Sequence, residues 1–132
     1  MPYGRGDAEW NDLATAGLDF LVRQAGLRKV TSYTEMNATL ARRTGARPFN
    51  FEQDGERRAM GALLEVIGER NRPETGVMIT ALVNYLDQND AGPGFYSYAQ
   101  RIGFLRKGAT ADERLDFWAT QVGAIHDYYA RP

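Results

Sequence analysis

Apolar residues recur at three- and four-residue steps in four segments of the chain, which is the spacing of one face of an α-helix. In the first segment the repeating residues are Trp10, Leu13, Ala14, Gly17, Phe20, Leu21 and Ala25. Comparable stripes lie within 32–45, 53–70 and 110–130, with glycine and proline between them. Four amphipathic helices leave little of the chain for a sheet, so the pattern predicts a mainly α-helical protein.

Short polar patterns predict where these helices begin and end. The segments 32–35 (Ser-Tyr-Thr-Glu) and 110–113 (Thr-Ala-Asp-Glu) have the form of capping boxes, in which a hydroxyl and a carboxylate satisfy unpaired backbone N–H groups. Asp7 is predicted to cap the first helix. Gly26 and Gly45 are expected to end the first and the second helix, because glycine readily adopts the left-handed conformation of a helix stop.

The second half of the chain is expected to add a small β element. The third helix is predicted over 53–70, and the stretch 71–76, which contains Pro73, is expected to break it. Residues 77–85 are rich in β-branched and aliphatic side chains and are interpreted as a buried strand, with a helix as the competing interpretation. A Gly- and Pro-rich loop at 87–94 and a short helix at 95–102 follow.

The segment 31–104 has the element order of a winged helix: helix, turn, helix, strand and Gly-rich turn. In such domains the second helix enters the major groove of DNA while the wing rests on its backbone. The matching helix here is 54–70, and the wing-like part is 77–95. We therefore predict one α+β domain over 1–132, with a winged-helix-like centre between flanking helices at 7–26 and 110–130.

Short motifs within this centre carry a resemblance to known proteins. They are Thr31-Ser32-Tyr33-Thr34-Glu35, Arg58-Ala59-Met60-Gly61-Ala62-Leu63-Leu64, Ala81-Leu82-Val83-Asn84 and Gly92-Pro93-Gly94-Phe95. The chain resembles small winged-helix-like domains of uncharacterised bacterial and mobile-element proteins, and more distantly the DNA-binding domain of alkylguanine-DNA alkyltransferases. The resemblance covers a little over half of the chain and implies a DNA-binding fold. Those enzymes need a reactive cysteine, and this chain has none, so repair by alkyl transfer is excluded.

The charges are balanced overall but clustered locally. The chain has 16 Lys and Arg against 17 Asp and Glu, so its net charge of −1 does not attract nucleic acid in general. Arg57 and Arg58 lie in the first turn of the helix that matches a recognition helix. The predicted DNA interface consists of Arg42, Arg43, Arg57, Arg58, Arg101 and Lys107. The alternative is a solvated arginine face that is paired with Glu52, Asp54 and Glu56.

Two functions from different classes follow from these features. The leading one is binding of double-stranded DNA in a regulatory or mobile-element setting, because element order and arginine placement agree. The alternative is a protein–protein adaptor or inhibitor that uses a winged-helix-like shell without binding DNA. The near-zero net charge and the acids beside Arg57 favour this alternative.

Residue types that build most catalytic and metal centres are scarce in this chain. The lack of cysteine excludes disulfides, thiolate zinc sites and iron–sulfur clusters, and a single histidine, His126, excludes a multi-histidine metal site. No Gly-x-Ser-x-Gly elbow, P-loop or dinucleotide fingerprint occurs. We therefore expect a non-enzymatic binding module without metal or cofactor.

The sequence also bears on membrane contact. The longest apolar stretch, 77–86, is interrupted by Thr80 and Asn84 and is too short to span a bilayer. Residues 1–7 lack the charged-then-apolar pattern of a signal peptide. These features predict a cytoplasmic protein with no membrane contact.

The final helix indicates self-association. Its apolar stripe consists of Leu115, Trp118, Val122, Ile125 and Tyr129. Phe117 and Tyr128 fall beside that stripe and widen the apolar arc beyond what one neighbour usually covers. The first helix has a similar excess at Leu18 and Val22. A homodimer through the terminal helices is therefore predicted, with packing beneath two neighbours of the same chain as the alternative.

Overall fold

The computed structural model describes residues 2–86 and 88–130, and within them the chain is mainly α-helical. The helices are α1 (Asp7–Gly26), α2 (Tyr33–Thr44), α3 (Asp54–Thr75), α4 (Pro93–Arg101) and α5 (Ala111–Tyr129). The remaining elements are two parallel strands, β1 (Thr31–Ser32) and β2 (Val83–Asn84), and the 3-10 turns Pro2–Gly4 and Ile79–Leu82. The predicted mainly α class with a small β element is confirmed.

Helix α1 lies at the centre and contacts α2, α3, α5 and the Ile79–Leu82 turn. Gly17 lets α1 approach α3 closely, because a Cβ atom there would lie 2.6 Å from the Cδ1 atom of Ile67 on α3. A smaller apolar cluster beneath α4 joins Met78, Tyr98 and Ala99 to the partly buried Phe95 and Phe117. No helix within the described ranges is long and apolar enough to cross a membrane.

The local signals at the helix ends are only partly confirmed. Thr110 and Glu113 form the predicted capping box of α5, and Gly45 ends α2 in the left-handed conformation with φ 75°. At the start of α2 the Ser32 hydroxyl accepts the Glu35 N–H at 3.1 Å, but the Glu35 carboxylate bonds the Thr31 hydroxyl instead. The cap predicted at Asp7 is wrong, because α1 already includes that residue and follows Gly6.

The predicted break at 71–76 is also wrong, since α3 continues through Pro73 to Thr75. Proline has no backbone N–H, so α3 forgoes the hydrogen bond that residue 73 would donate to the Glu69 carbonyl, and the helix continues only to Thr75 beyond it. Asn71 holds that turn in place, because it is buried and its side-chain NH₂ donates to the Tyr129 hydroxyl at 2.8 Å. The helix ends at Gly76, whose φ is 69°.

The strand predicted over 77–85 is replaced by the buried turn Ile79–Leu82, and only Val83–Asn84 is extended. The turn is enclosed by α1, α3 and α5, so no long strand is available as its partner. Its backbone groups are satisfied otherwise: Gln121 accepts the Met78 N–H at 2.8 Å, and the Trp118 indole donates to the Ala81 carbonyl at 2.8 Å.

The β pairing differs from that of a wing. Thr31 aligns with Val83, and Ser32 with Asn84, in parallel, so the pair joins the entry of α2 to the residues after the buried turn. Residues 77–86 and 88–95 form no antiparallel hairpin among themselves. Asp87, the first residue of the predicted loop, lies outside the described residues, and α4 begins at Pro93 rather than at Phe95.

The stripe predicted for α5 is only partly buried. Ile125 is its single fully buried member among the described residues, whereas Leu115 is 43% exposed. Phe117 packs inside the chain, with its ring centroid 5.9 Å from that of Phe95. The Tyr128 ring packs on Tyr129 at 4.8 Å. The aromatic residues beside the stripe therefore have partners within the same chain.

Candidate functional site

A groove of about 470 Å³ opens between the amino-terminal half of α3, the start of α4 and the Pro2–Gly4 turn. Its lining is dominated by arginine and tyrosine: Arg57, Arg58 and Arg101 with Tyr3, Tyr33 and Tyr85. We call it the tyrosine–arginine groove. Both side-chain types are frequent at sites of protein recognition, and this combination makes the groove the candidate functional site.

The floor of the groove follows from the helical spacing of α3. Residues at positions 57, 58, 61, 62 and 65 fall on one side of the helix, since neighbours on a helix face are three or four residues apart. Gly61 and Ala62 are small and leave the middle of the floor low. A Cβ atom at Gly61 would lie 3.9 Å from the Tyr33 hydroxyl, which is an ordinary contact. The fold therefore tolerates a side chain there, and glycine keeps the groove open.

Three tyrosines form the aromatic walls. Tyr3 is 44% exposed and stacks on Trp10, with ring centroids 6.0 Å apart. Tyr33 is buried and meets Tyr85 edge-on at 5.0 Å. Burial, and to a lesser degree Tyr85, raises the pKa of Tyr33 to about 12. Its hydroxyl therefore stays protonated at neutral pH and can donate a hydrogen bond.

The charges of the groove are mixed, and only some are engaged. Arg57 pairs with Asp54 and also donates to the Phe51 carbonyl. Arg101 reaches across from α4 and bonds the Glu65 carboxylate at 2.7 Å. The Arg58 side chain is exposed and makes no hydrogen bond or ion pair with any described residue. The groove thus combines two fixed ion pairs with one unpaired cation.

The six cations predicted to contact DNA fall into separate places. Arg57, Arg58 and Arg101 meet at the groove. Arg42 and Arg43 lie at the end of α2 on another surface, where Arg43 pairs with Asp19 of α1 at 2.7 Å. Lys107 is exposed in the turn before α5. Three of the six are therefore brought together, and the part of the chain that the structure describes does not join them into one basic face.

The aromatic walls of the groove are not predicted by the sequence. Tyr33 meets Tyr85 across the fold, and the Glu65–Arg101 pair joins residues 36 positions apart. No local pattern in the sequence signals either contact, because the Tyr33–Tyr85 contact depends on how α2 lies against the residues after the buried turn, and the Glu65–Arg101 pair depends on how α4 lies against α3. The motif Gly92-Pro93-Gly94, which belongs to the loop predicted at 87–94, forms the entry to α4 beside the groove.

A second polar cluster lies further along α3. Tyr98 donates to the Glu69 carboxylate, and Arg72 bonds both of its oxygens at 3.0 Å. These hydrogen bonds, with that from Tyr98 the larger, lower the pKa of Glu69. A carboxylate that is ionised and engaged in this way is poorly suited to act as a general base. The cluster therefore holds α4 against α3 rather than offering a reactive group.

His126 and the acidic residues offer no further centre. The Nε2 atom of His126 lies 2.9 Å from the Lys29 carbonyl and ties α5 to the loop after α1. Within the described residues no group of three or more histidine, aspartate or glutamate side chains could hold a metal ion. Within the described residues, the groove brings the unpaired Arg58 and the exposed Tyr3 ring into one depression.

Comparison with known proteins finds no matching family model, no similar curated protein and no similar solved structure.

Proposed function

We propose that the protein is a non-enzymatic binding module whose tyrosine–arginine groove takes up a protruding acidic segment of a partner protein. The observation that carries the proposal is Arg58, an unpaired cation on the floor of a concave groove with tyrosine walls. The groove is the surface that a protein–protein adaptor or inhibitor of the predicted kind would use.

Charge supports an acidic partner. Asp54 and Glu65 hold Arg57 and Arg101 in place, so three arginines stand against two carboxylates and the groove keeps one excess positive charge. An incoming carboxylate can bond the Arg58 guanidinium through two parallel N–H groups. The positive amino end of α4 adds to the attraction.

Shape supports a protein segment over a duplex. A recognition helix reads DNA by standing out from its domain and entering the major groove. Here the arginine-bearing face of α3 is the floor of a depression between the Pro2–Gly4 turn and α4. A depression of this kind accommodates a side chain or a loop of a partner better than it accommodates a cylinder of DNA.

Duplex DNA stays the second candidate because one observation favours it. Arg57 and Arg58 of α3 and Arg101 of α4 converge on the groove, as phosphate-binding residues do. The other predicted contacts, Arg42, Arg43 and Lys107, would then have to be reached by a duplex that bends around the molecule. The same binding experiment tests both candidates.

The test uses fluorescence anisotropy with three labelled probes: a glutamate–glycine peptide, a lysine–glycine peptide and a DNA duplex of mixed sequence. We expect the glutamate peptide to bind best. Arg58→Glu should weaken its binding by about tenfold or more, since one charge-assisted hydrogen-bonded contact is lost and repulsion is added. Arg42→Glu is the matched control, because Arg42 is also exposed but lies outside the groove.

Equal effects of the two variants would contradict the proposal, and so would a lack of glutamate-peptide binding by the wild type. Preference for the duplex, with binding that falls steeply as salt is added, would favour the DNA candidate instead.

The homodimer stays a separate prediction. Leu115 is the exposed residue of the apolar stripe on α5, within the predicted dimer interface, and is available to a second copy. Light scattering of the wild type and of Leu115→Asp tests the predicted homodimer. A dimer mass for the wild type that falls to the monomer mass in the variant supports an interface through the terminal helices. A monomer mass for both proteins contradicts it.

A further inference from the structure

We infer that Arg5 is a positioning residue that anchors the Pro2–Gly4 turn and thereby fixes the Tyr3 ring as a wall of the tyrosine–arginine groove. The inference rests on the proposed function for its purpose, but the placement of Tyr3 is testable without any ligand.

The environment of Arg5 is unusual for a charged residue. It is only 1% exposed, and its guanidinium lies 4.1 Å from the centroid of the Phe49 ring. Nη1 bonds the Glu9 carboxylate at 2.8 Å, whereas Nε and Nη2 are buried without a hydrogen-bond partner. Contact with the aromatic face compensates part of the buried charge.

Stability alone does not account for an arginine at this position. A buried cation with two unsatisfied N–H groups is costly, and an apolar side chain of similar volume often replaces such a group without loss of stability. The guanidinium instead packs on the Phe49 ring, whose position is fixed. The backbone N–H and carbonyl of Phe49 form two reciprocal hydrogen bonds with the Asn37 side chain, both at 2.8 Å. Arg5 therefore connects the turn to a rigid part of the core.

Tyr3 lies two residues before Arg5, and the position of its ring depends on that anchor. Tyr3 and Gly4 are both in the left-handed region, with φ 56° and φ 74°, so the chain folds back sharply onto α3. The Tyr3 ring stacks on Trp10 and remains 44% exposed. This single stack is a weak hold, because an aromatic pair contributes about 0.5–1.5 kcal/mol. The buried contact of Arg5 with Phe49 supplies the remaining constraint on the position of the turn.

The test removes the anchor and keeps the volume. Arg5→Met is made in a Trp118→Phe background, so that Trp10 is the remaining tryptophan. We expect the unfolding midpoint to stay close to that of the background, while acrylamide quenching of Trp10 increases because the Tyr3 ring no longer covers it. Binding of the glutamate–glycine peptide should fall between about twofold and tenfold, the range of one lost aromatic contact.

The outcomes separate this inference from the proposed function. Unchanged Trp10 quenching in folded Arg5→Met overturns the inference, whatever the peptide does. Increased quenching in a protein that never binds the peptide supports the positioning role and contradicts the proposed function.

A second variant covers the case in which Arg5→Met does not fold. Gly4→Ala strains the turn at its positive φ and meets no atom within 4 Å, so it disturbs the turn without touching the core. It should increase Trp10 quenching as well. Failure of Arg5→Met to fold, together with wild-type quenching in Gly4→Ala, would overturn the inference.

Discussion

The two ends of α3 carry similar residues and use them differently. At the carboxyl end, Arg72 bonds both oxygens of Glu69, and Tyr98 donates to the same carboxylate. At the amino end, Arg58 is exposed and has no ionic partner among the described residues. The carboxyl end uses its charges to hold the fold together, whereas the amino end leaves a charge available to a partner.

Electrostatics of the helix sharpens this contrast. The carboxyl end of a helix is negative, so Arg72 gains from its position even without a ligand. The amino end is positive, but its field is concentrated in the first turn, so Arg58 in the second turn gains nothing from it. Because its side chain also has no ionic partner among the described residues, Arg58 is available to an interaction outside the helix, which is the role the proposed function assigns to it.

Two glycines of α3 show the same division. Gly68 faces the core, where a Cβ atom would lie 3.8 Å from the Thr80 side chain, and Gly61 faces the groove. Neither site is too tight for a methyl group. Both glycines therefore make α3 less stable than alanine would, but only Gly61 keeps the groove open to solvent.

The largest expected effect is at the carboxyl end. Asn71→Ala should lower the free energy of unfolding by about 2–3 kcal/mol, because it leaves the Tyr129 hydroxyl without its 2.8 Å donor and removes buried side-chain volume. Urea denaturation measures the loss. The control is Asn11→Ala, which removes an exposed bond to Arg70 and should cost less than about 0.5 kcal/mol. Equal costs for the two variants would contradict the structural role of that end.

A middle-sized effect compares the two glycines directly. Gly61→Ala and Gly68→Ala should each raise the free energy of unfolding by up to about 1 kcal/mol, since alanine favours the helix. Only Gly61→Ala should reduce binding of the glutamate–glycine peptide, because its methyl group raises the floor of the groove. Loss of binding in both variants, or in neither, would break the distinction between the two faces of α3.

The smallest expected effect concerns pH. The bonds from Tyr98 and Arg72 lower the pKa of Glu69 below its ordinary value of 4.5. Stability from this carboxylate is therefore fully present above pH 4.5 and is lost as the pH falls through the lower value of the folded state. The melting temperature of wild type should fall more on acidification than that of Glu69→Gln. Glu52→Gln, an exposed site, should behave like wild type; identical acid profiles for all three proteins would contradict the prediction.

Local signals in the sequence predicted much of the helical framework. The capping box of Thr110 and Glu113, the stop at Gly45 and the apolar stripe of α1 all depend on residues within a few positions of one another. Each can therefore be predicted from the sequence, and each is present in the structure. Pro73 misled the prediction of the α3 end, because the buried Asn71–Tyr129 bond stabilises the turn in which that proline lies.

The sequence by itself thus determined the helical class, most helix ends and the lack of thiol chemistry, all of which depend on residue types and near neighbours. Tertiary structure decided that 79–82 is a buried turn, because α1, α3 and α5 enclose it. It also decided the groove, since Arg101 meets Glu65 and Tyr3 meets Trp10 only once α4 and the amino-terminal turn have packed. Contacts between residues far apart in the chain follow from the sum of all packing energies, and no short stretch of sequence contains that sum.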